Sequence, residues 1–133
     1  MAKIERFEDL QSWQKARILT NLIYDLTGDN DFAKDFRLRD QIRDAAGSIM
    51  HNIAEGFNSG SNPEFIRFLK IARRSASEVQ SQLYLAVDRG YIANGELQKA
   101  YDIATDAKRL INGMIAYLRQ HPKSKETTQP HNY

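Results

Sequence analysis

Arg67, Lys70 and Arg74 recur three and four positions apart, the spacing that stacks side chains on one face of a helix. Cations aligned in this way suit the phosphates of a nucleic acid, where each contact displaces a condensed counterion. At about 100° per residue they fall opposite the apolar line Phe65, Leu69, Ala72 and Ala76. Arg39 and Arg43 form a similar pair earlier in the chain, and Arg37 and Arg73 lie near these groups. Two readings stand. Arg39, Arg43, Arg67, Lys70, Arg73 and Arg74 make a phosphate-contacting surface, or they form an ordinary solvated face, since Asp40 and Asp44 partly offset the earlier pair. Acidic residues gather elsewhere, notably Glu96, Asp102 and Asp106. Base-specific readout is not expected, because no stacking-aromatic motif of an RNA-binding sheet is present.

Catalytic chemistry finds little support. His51 and Glu55 share a helix face, but a di-iron bundle needs Glu-x-x-His motifs from two helices, and the sequence contains none. Ser48, Ser75 and Ser77 lack a histidine and carboxylate in a nucleophile–base arrangement. No glycine loop able to cradle phosphates occurs. Neither a cofactor nor a metal is expected, and the chain reads as a non-enzyme. Asn52, Glu55 and Gly56 invite a structural reading. Gly56 is expected to end a helix in the left-handed conformation. Glu55, unfavourable beside a helix C-terminus, is expected to reach the amides near Asn62–Glu64 or to pair with an arginine. Asn52 is expected to bond backbone in the same corner.

Four segments of helical period must position these residues. The first runs over about 8–27, with Leu10, Trp13, Ala16, Leu19, Ile23 and Leu26 at intervals of three or four, and ends at Gly28 among turn formers. The second covers about 38–55 through Leu38, Ile42, Ala45, Ile49 and Ile53. The third, about 62–89, opens on Ser61 and Glu64 at capping-box spacing with Pro63 in the first turn, and closes at Arg89-Gly90-Tyr91. The fourth runs over about 94–119. Residues 121–133 are polar and proline-interrupted, and read as a disordered tail. Long helices with short loops predict an all-α fold, an antiparallel up-down-up-down four-helix bundle within residues 1–120.

Some apolar residues exceed what one core needs. Leu85 projects on the same outward angle as Arg67 and Lys70, while Ile18, Leu22, Ile66 and Tyr84 widen their helices' stripes. They form either a broad core or a subunit interface. The remaining composition is ordinary: 133 residues, 41% hydrophobic, 27% charged, net charge +2 and no cysteine. That excludes disulfides and thiolate metal sites, and it suits a reducing cytoplasm. No run approaches the ~18 apolar residues of a membrane span, and the amphipathic N-terminus does not read as a signal peptide.

Several blocks resemble a known family. They are Phe7-x-x-Leu10-x-x-Trp13-x-x-Ala16; Gln41-Ile42-Arg43-x-Ala45-Ala46-x-Ser48-Ile49-x-x-Asn52-Ile53-Ala54-Glu55-Gly56; Phe65-x-x-Phe68-Leu69-x-Ile71-Ala72; and Ser75-x-x-Glu78-x-x-x-Gln82-Leu83 before Gly90-Tyr91-Ile92. Together the chain resembles the four-helix bundle family first associated with intervening sequences in bacterial 23S ribosomal RNA genes. A related branch is the accessory variability determinant of diversity-generating retroelements. The resemblance implies a four-helix protomer, often a homopentamer, with a basic surface that binds RNA or DNA and, in that branch, a reverse transcriptase partner. One departure stands out: Arg74 precedes Ser75 where relatives often have glycine. The resulting expectation is an oligomeric, sequence-tolerant nucleic-acid-binding protein, with a protein–protein scaffold as the alternative.

Overall fold

In the computed structural model, which describes residues 4–121, a 3₁₀ turn at Phe7–Asp9 precedes five α-helices. These are α1 Gln11–Leu26, α2 Asn30–Lys34, α3 Phe36–Phe57, α4 Asn62–Asp88 and α5 Asn94–Gln120. The described residues contain no strand. Each long helix starts where the sequence supplies an acceptor or a turn. Asp35 accepts from the Leu38 amide at 3.1 Å to open α3, and Ser61 Oγ accepts from the Glu64 amide at 3.3 Å to open α4. The Glu96 carboxylate accepts from the Ala93 amide at 2.9 Å before α5. Gly90, at φ +76°, ends α4. Its amide donates to Val87 O while that of Tyr91 donates to Ala86 O, a pair of bonds that satisfies two orphan carbonyls and needs a left-handed residue.

The four long helices form a square in which α1 and α4 each touch both α3 and α5. Cross-helix contacts run antiparallel around the ring. Thr20 Oγ1 donates to Ala46 O at 3.1 Å, Ser75 Oγ to Ser48 Oγ at 2.9 Å, and Arg73 to Asn112 Oδ1 at 2.8 Å. Lys15 meets Asp106 at 3.8 Å. The up-down-up-down bundle follows. Its core is built from Leu19, Ile23, Ile42, Ile49, Ile53, Leu69, Leu83, Ile111 and Met114, with alanines such as Ala16, Ala46, Ala72, Ala76 and Ala104 where helices come close. Burying each large aliphatic side chain contributes about 1.5–3 kcal/mol.

Three details depart from the sequence reading. The short α2 interrupts what reads as a loop after Gly28; its Phe32 is buried and stacks on Tyr91 with ring centroids 5.1 Å apart. Five residues are too few to show a period, and Phe32 is the one large apolar side chain among them. Gly56 is no left-handed cap: among the described glycines only Gly60 and Gly90 have positive φ. Helix α3 continues through Gly56 to Phe57, because Gly56 is buried against α4. A Cβ there would stand 2.8 Å from Phe68 Cβ and 2.9 Å from Phe65 Cδ1. Lastly, His121, assigned to the tail, sits at the end of α5 with its ring stacked on Tyr117 at 4.2 Å. The Asn62 side-chain amide donates to the His121 carbonyl. The rest of the expected tail, 122–133, lies outside the described residues.

Candidate nucleic-acid interface

Helix α4 carries no acidic side chain between Phe65 and Ser77 but holds Arg67, Lys70, Arg73 and Arg74. Lys70 and Arg74 are exposed, and neither forms a hydrogen bond or ion pair with any described residue. Arg67 is exposed too, but two of its nitrogens bond Glu64 at 3.0–3.3 Å and its guanidinium lies 4.4 Å above the Phe68 ring. Glu64 raises the pKa of that guanidinium above its ordinary value, and the Glu55 carboxylate adds a smaller push in the same direction. Arg73 turns toward α5 and donates to Asn112. Arg74 lies on the outer surface while Ser75 faces α3. Arg74 therefore leaves the α3–α4 contact undisturbed.

Arg39 and Arg43 do not join this line. They lie on the α1 side of α3, where they tie the α1–α2 corner. Arg43 Nε donates to Thr27 Oγ1 at 2.7 Å, and another of its nitrogens donates to Thr27 O at 3.3 Å. Its guanidinium stands 4.5 Å above the Tyr24 ring. Arg39 donates to Ala33 O at 3.1 Å, pairs with Asp40 at 2.9 Å and covers Phe36 at 4.8 Å. Sequence spacing alone could not separate these two from the α4 line, because both pairs fall on non-core angles of their helices.

What the linear reading missed is a sum over four helices. Split at the helix midpoints, residues 4–19, 47–76 and 107–121 form one half of the bundle, with ten basic and five acidic side chains. Residues 20–46 and 77–106 form the other, with six basic and eleven acidic. A net charge of only +2 for the chain hides a strong lengthwise polarity. Lys108, Arg109 and Arg119 of α5 belong to the cationic half beside the α4 line. Lys108 bonds Gln80 Oε1 across the α4–α5 contact at 3.1 Å, whereas Arg109 is exposed.

The Asn52–Glu55–Gly56 corner behaves partly as expected. Asn52 Nδ2 donates to Ser48 O at 2.8 Å and to Ser48 Oγ at 3.0 Å. Through the Ser75 hydroxyl this makes a three-residue relay between α3 and α4. Glu55 stays exposed and does not cap α4, since Ser61 takes that role and Arg67 is the cation within its field. The apolar surplus divides among three faces. Ile18, 53% exposed, and Leu22 line an α1 groove with Ile103 of α5. Ile66 and Tyr84 stand on the α5 side of α4, where Tyr84 meets the edge of Tyr101 at 5.9 Å. Leu85, 48% exposed, lies on the outer surface of α4. Among the described residues no group of three or more His, Cys, Asp or Glu side chains could hold a metal, and no helix is long and apolar enough to cross a membrane.

Comparison with known proteins fits this architecture. A crystal structure of a protein of unknown function from the S23 ribosomal protein family of Bacteroides thetaiotaomicron matches with a TM-score of 0.67 at 28% sequence identity. The match covers 79% of this chain and 91% of that one. No curated protein matches in sequence. Neither the structural neighbour nor the matched family is described as an enzyme. Residues 8–113 match the family described as 23S rRNA-intervening sequence protein, and the chain belongs to that family.

Proposed function

We propose that the cationic half of the bundle binds the phosphate backbone of RNA, with DNA as a competing polyanion, and that the protein performs no catalysis. The observation that carries this reading is the partnerless pair Lys70 and Arg74 on a helix segment free of acids, within a half-molecule of ten basic and five acidic side chains. The family's description, which names an intervening sequence of ribosomal RNA, supports RNA as the first polyanion to test. Binding of this kind is electrostatic and sequence-tolerant, because phosphate contacts position a nucleic acid without reading its bases. Lys70 and Arg74 carry more of it than Arg67 and Arg73, whose guanidinium groups must first leave Glu64 and Asn112. Arg109 and Arg119 extend the surface onto α5. Arg39 and Arg43 are committed to the opposite corner and contribute little.

One protomer makes few phosphate contacts, so we further propose a homo-oligomer, a ring of five by family resemblance. Repeated patches bind one polyanion at high effective concentration. The exposed Ile18 and Leu85 are its contact candidates.

Fluorescence anisotropy against structured RNA and single- and double-stranded DNA, at low and near-physiological salt, tests the main reading. Binding is expected to weaken steeply with salt, and Lys70→Glu/Arg74→Glu to lower affinity by at least roughly tenfold at low salt. No binding at low salt, or binding indifferent to the double reversal, overturns it in favour of a protein scaffold. Sedimentation of Ile18→Glu and Leu85→Glu tests the assembly. A lower mass than wild type is expected, and an unchanged mass in both removes these residues from the interface.

A further inference from the structure

Exposed aromatic rings and unpaired cations occupy opposite halves of the bundle. Among the described residues the exposed phenylalanine and tyrosine rings are Tyr24, Phe36 and Tyr84, and all three stand in the acidic half. In the cationic half the rings are engaged. Phe57 and Phe65 are buried and meet edge to face. The Arg67 guanidinium covers Phe68 at 4.4 Å, and Tyr117 is stacked on His121 at 4.2 Å. Trp13 stands on α1, diagonal to α4, with Phe7 against it at 5.2 Å and Arg17 over it at 5.7 Å. His51 is exposed but lies along its own helix beside Gly47. What the cationic half presents is a fixed array of charge. Lys70 and Arg74 stand one turn apart on α4. Arg109 and Arg119 share a side of α5 with Asn112, which Arg73 reaches from α4. Both are exposed, and they are roughly 15 Å apart along the helix.

Resting on the phosphate-binding reading above, we infer that the cationic half takes base-paired RNA and discriminates against unpaired strands. Surfaces that hold single strands combine a basic groove with aromatic rings on which successive bases stack, and here the two are separated. An unpaired strand must be ordered on binding, with no stacked base to offset that ordering. In a duplex the bases already stack on one another, so phosphate contacts and helical shape suffice. Each neutralised phosphate also releases more counterion from a duplex than from a single strand, roughly 0.9 against 0.7. The half that does carry exposed rings has eleven acidic and six basic residues, which repels a strand before its bases can reach Tyr24, Phe36 or Tyr84.

The test is anisotropy with a fluorescein-labelled RNA hairpin, its stem about 20 base pairs long, and with an oligouridine of the same number of nucleotides, which does not pair with itself. The hairpin is expected to bind at least about tenfold tighter at near-physiological salt. Trp13 is the one tryptophan of the chain, so its fluorescence reports any base stacked there; saturation with oligouridine is expected to leave it unchanged. Ala116→Trp supplies the missing ring, since Ala116 is exposed on α5 between Arg109 and Arg119. This variant is expected to tighten oligouridine binding at least about threefold while hairpin affinity stays within about twofold. Equal or tighter binding of oligouridine by the wild type, or quenching of Trp13 by it, overturns the inference and leaves the phosphate-binding reading standing. An Ala116→Trp variant with an unchanged preference overturns it as well, because the absence of a ring would not be what excludes single strands. Binding of neither RNA at low salt overturns both readings together.

Discussion

At its C-terminal end α3 meets α4 through bare backbone: Gly56 lies against Phe65 and Phe68, and the Phe57 and Phe65 rings meet edge to face with centroids 6.0 Å apart. At its N-terminal end α3 is held by polar side chains. Arg43 grips Thr27, Arg39 reaches Ala33 O, and Asp35 binds both the Leu38 amide and the Tyr91 hydroxyl. The first end belongs to the cationic half and the second to the acidic half. Close apolar packing holds the cationic end around Gly56; Arg67 and Arg73 are engaged by Glu64 and Asn112, while Lys70 and Arg74 are left exposed. At the acidic end Arg39 and Arg43 are spent on architecture. Counting arginines therefore misleads: Arg39 and Arg43 are tied to the α1–α2 corner, whereas Lys70 and Arg74 have no partner among the described residues.

The sharpest way to break this comparison is Gly56→Ala. Alanine in a helix normally gains up to about 1 kcal/mol over glycine, so an ordinary helical site predicts stabilisation. Here the added Cβ meets two ring-bearing side chains at under 3 Å and the Phe65 carbonyl oxygen at 3.3 Å. Overpacking of this kind costs about 1–3 kcal/mol. A net loss of roughly 2 kcal/mol in urea denaturation is expected; a gain would mean that α3 and α4 separate freely and that packing does not define this end. Next in size is Arg43→Met, which keeps an apolar stem over Tyr24 but removes two bonds to Thr27. Hydrogen bonds to a charged group contribute about 1.5–3 kcal/mol, and the partial exposure of Arg43 favours the lower end. RNA affinity should stay within about twofold, and a large affinity loss at unchanged stability would return Arg43 to the phosphate surface. Ser75→Ala is smaller again, about 1 kcal/mol. It leaves Ser48 bonded to Asn52, so a loss well above that figure would show that the relay acts as a unit.

The four long helices were legible because each keeps apolar residues at three- and four-residue steps over four or more turns. The capping acceptor Ser61 sits where local sequence alone determines geometry; the cap by Glu96 was not read from the sequence. Positions fixed by contact between helices were not legible. Gly56 reads as a helix end from composition, and only the rings of Phe65 and Phe68 on another helix turn it into a close-packing site. Likewise Arg39, Arg43, Arg67 and Arg74 look equivalent along the chain, and Thr27, Ala33 and Glu64 distinguish them. The charge polarity was present in the residue list, yet antiparallel packing must gather alternate half-helices before it exists. Phe32 shows the opposite limit: one buried ring fixes α2, in a segment too short for any pattern.

The smallest effect concerns how the acidic end responds to acid. Asp35 has its pKa lowered, first by the hydrogen bond from the Tyr91 hydroxyl at 2.8 Å and next by the Leu38 amide. A carboxylate with a depressed folded-state pKa stabilises the fold above its unfolded value, and that contribution fades as pH falls through the folded value. Acid should therefore loosen the α2–α3 corner below about pH 4, where an ordinary aspartate protonates. Tyr91→Phe removes the leading cause while keeping the ring that stacks on Phe32. Its stability profile should be flatter than wild type between about pH 5 and pH 2, and the two should converge at the acid end. At the cationic end Gly56, Phe65 and Phe68 contain no titratable group, so hydrogen exchange of their amides should not change over the same interval beyond the intrinsic effect of pH. If acid opened the Gly56 end first, the division between a polar-tied and a packed end of α3 would fail.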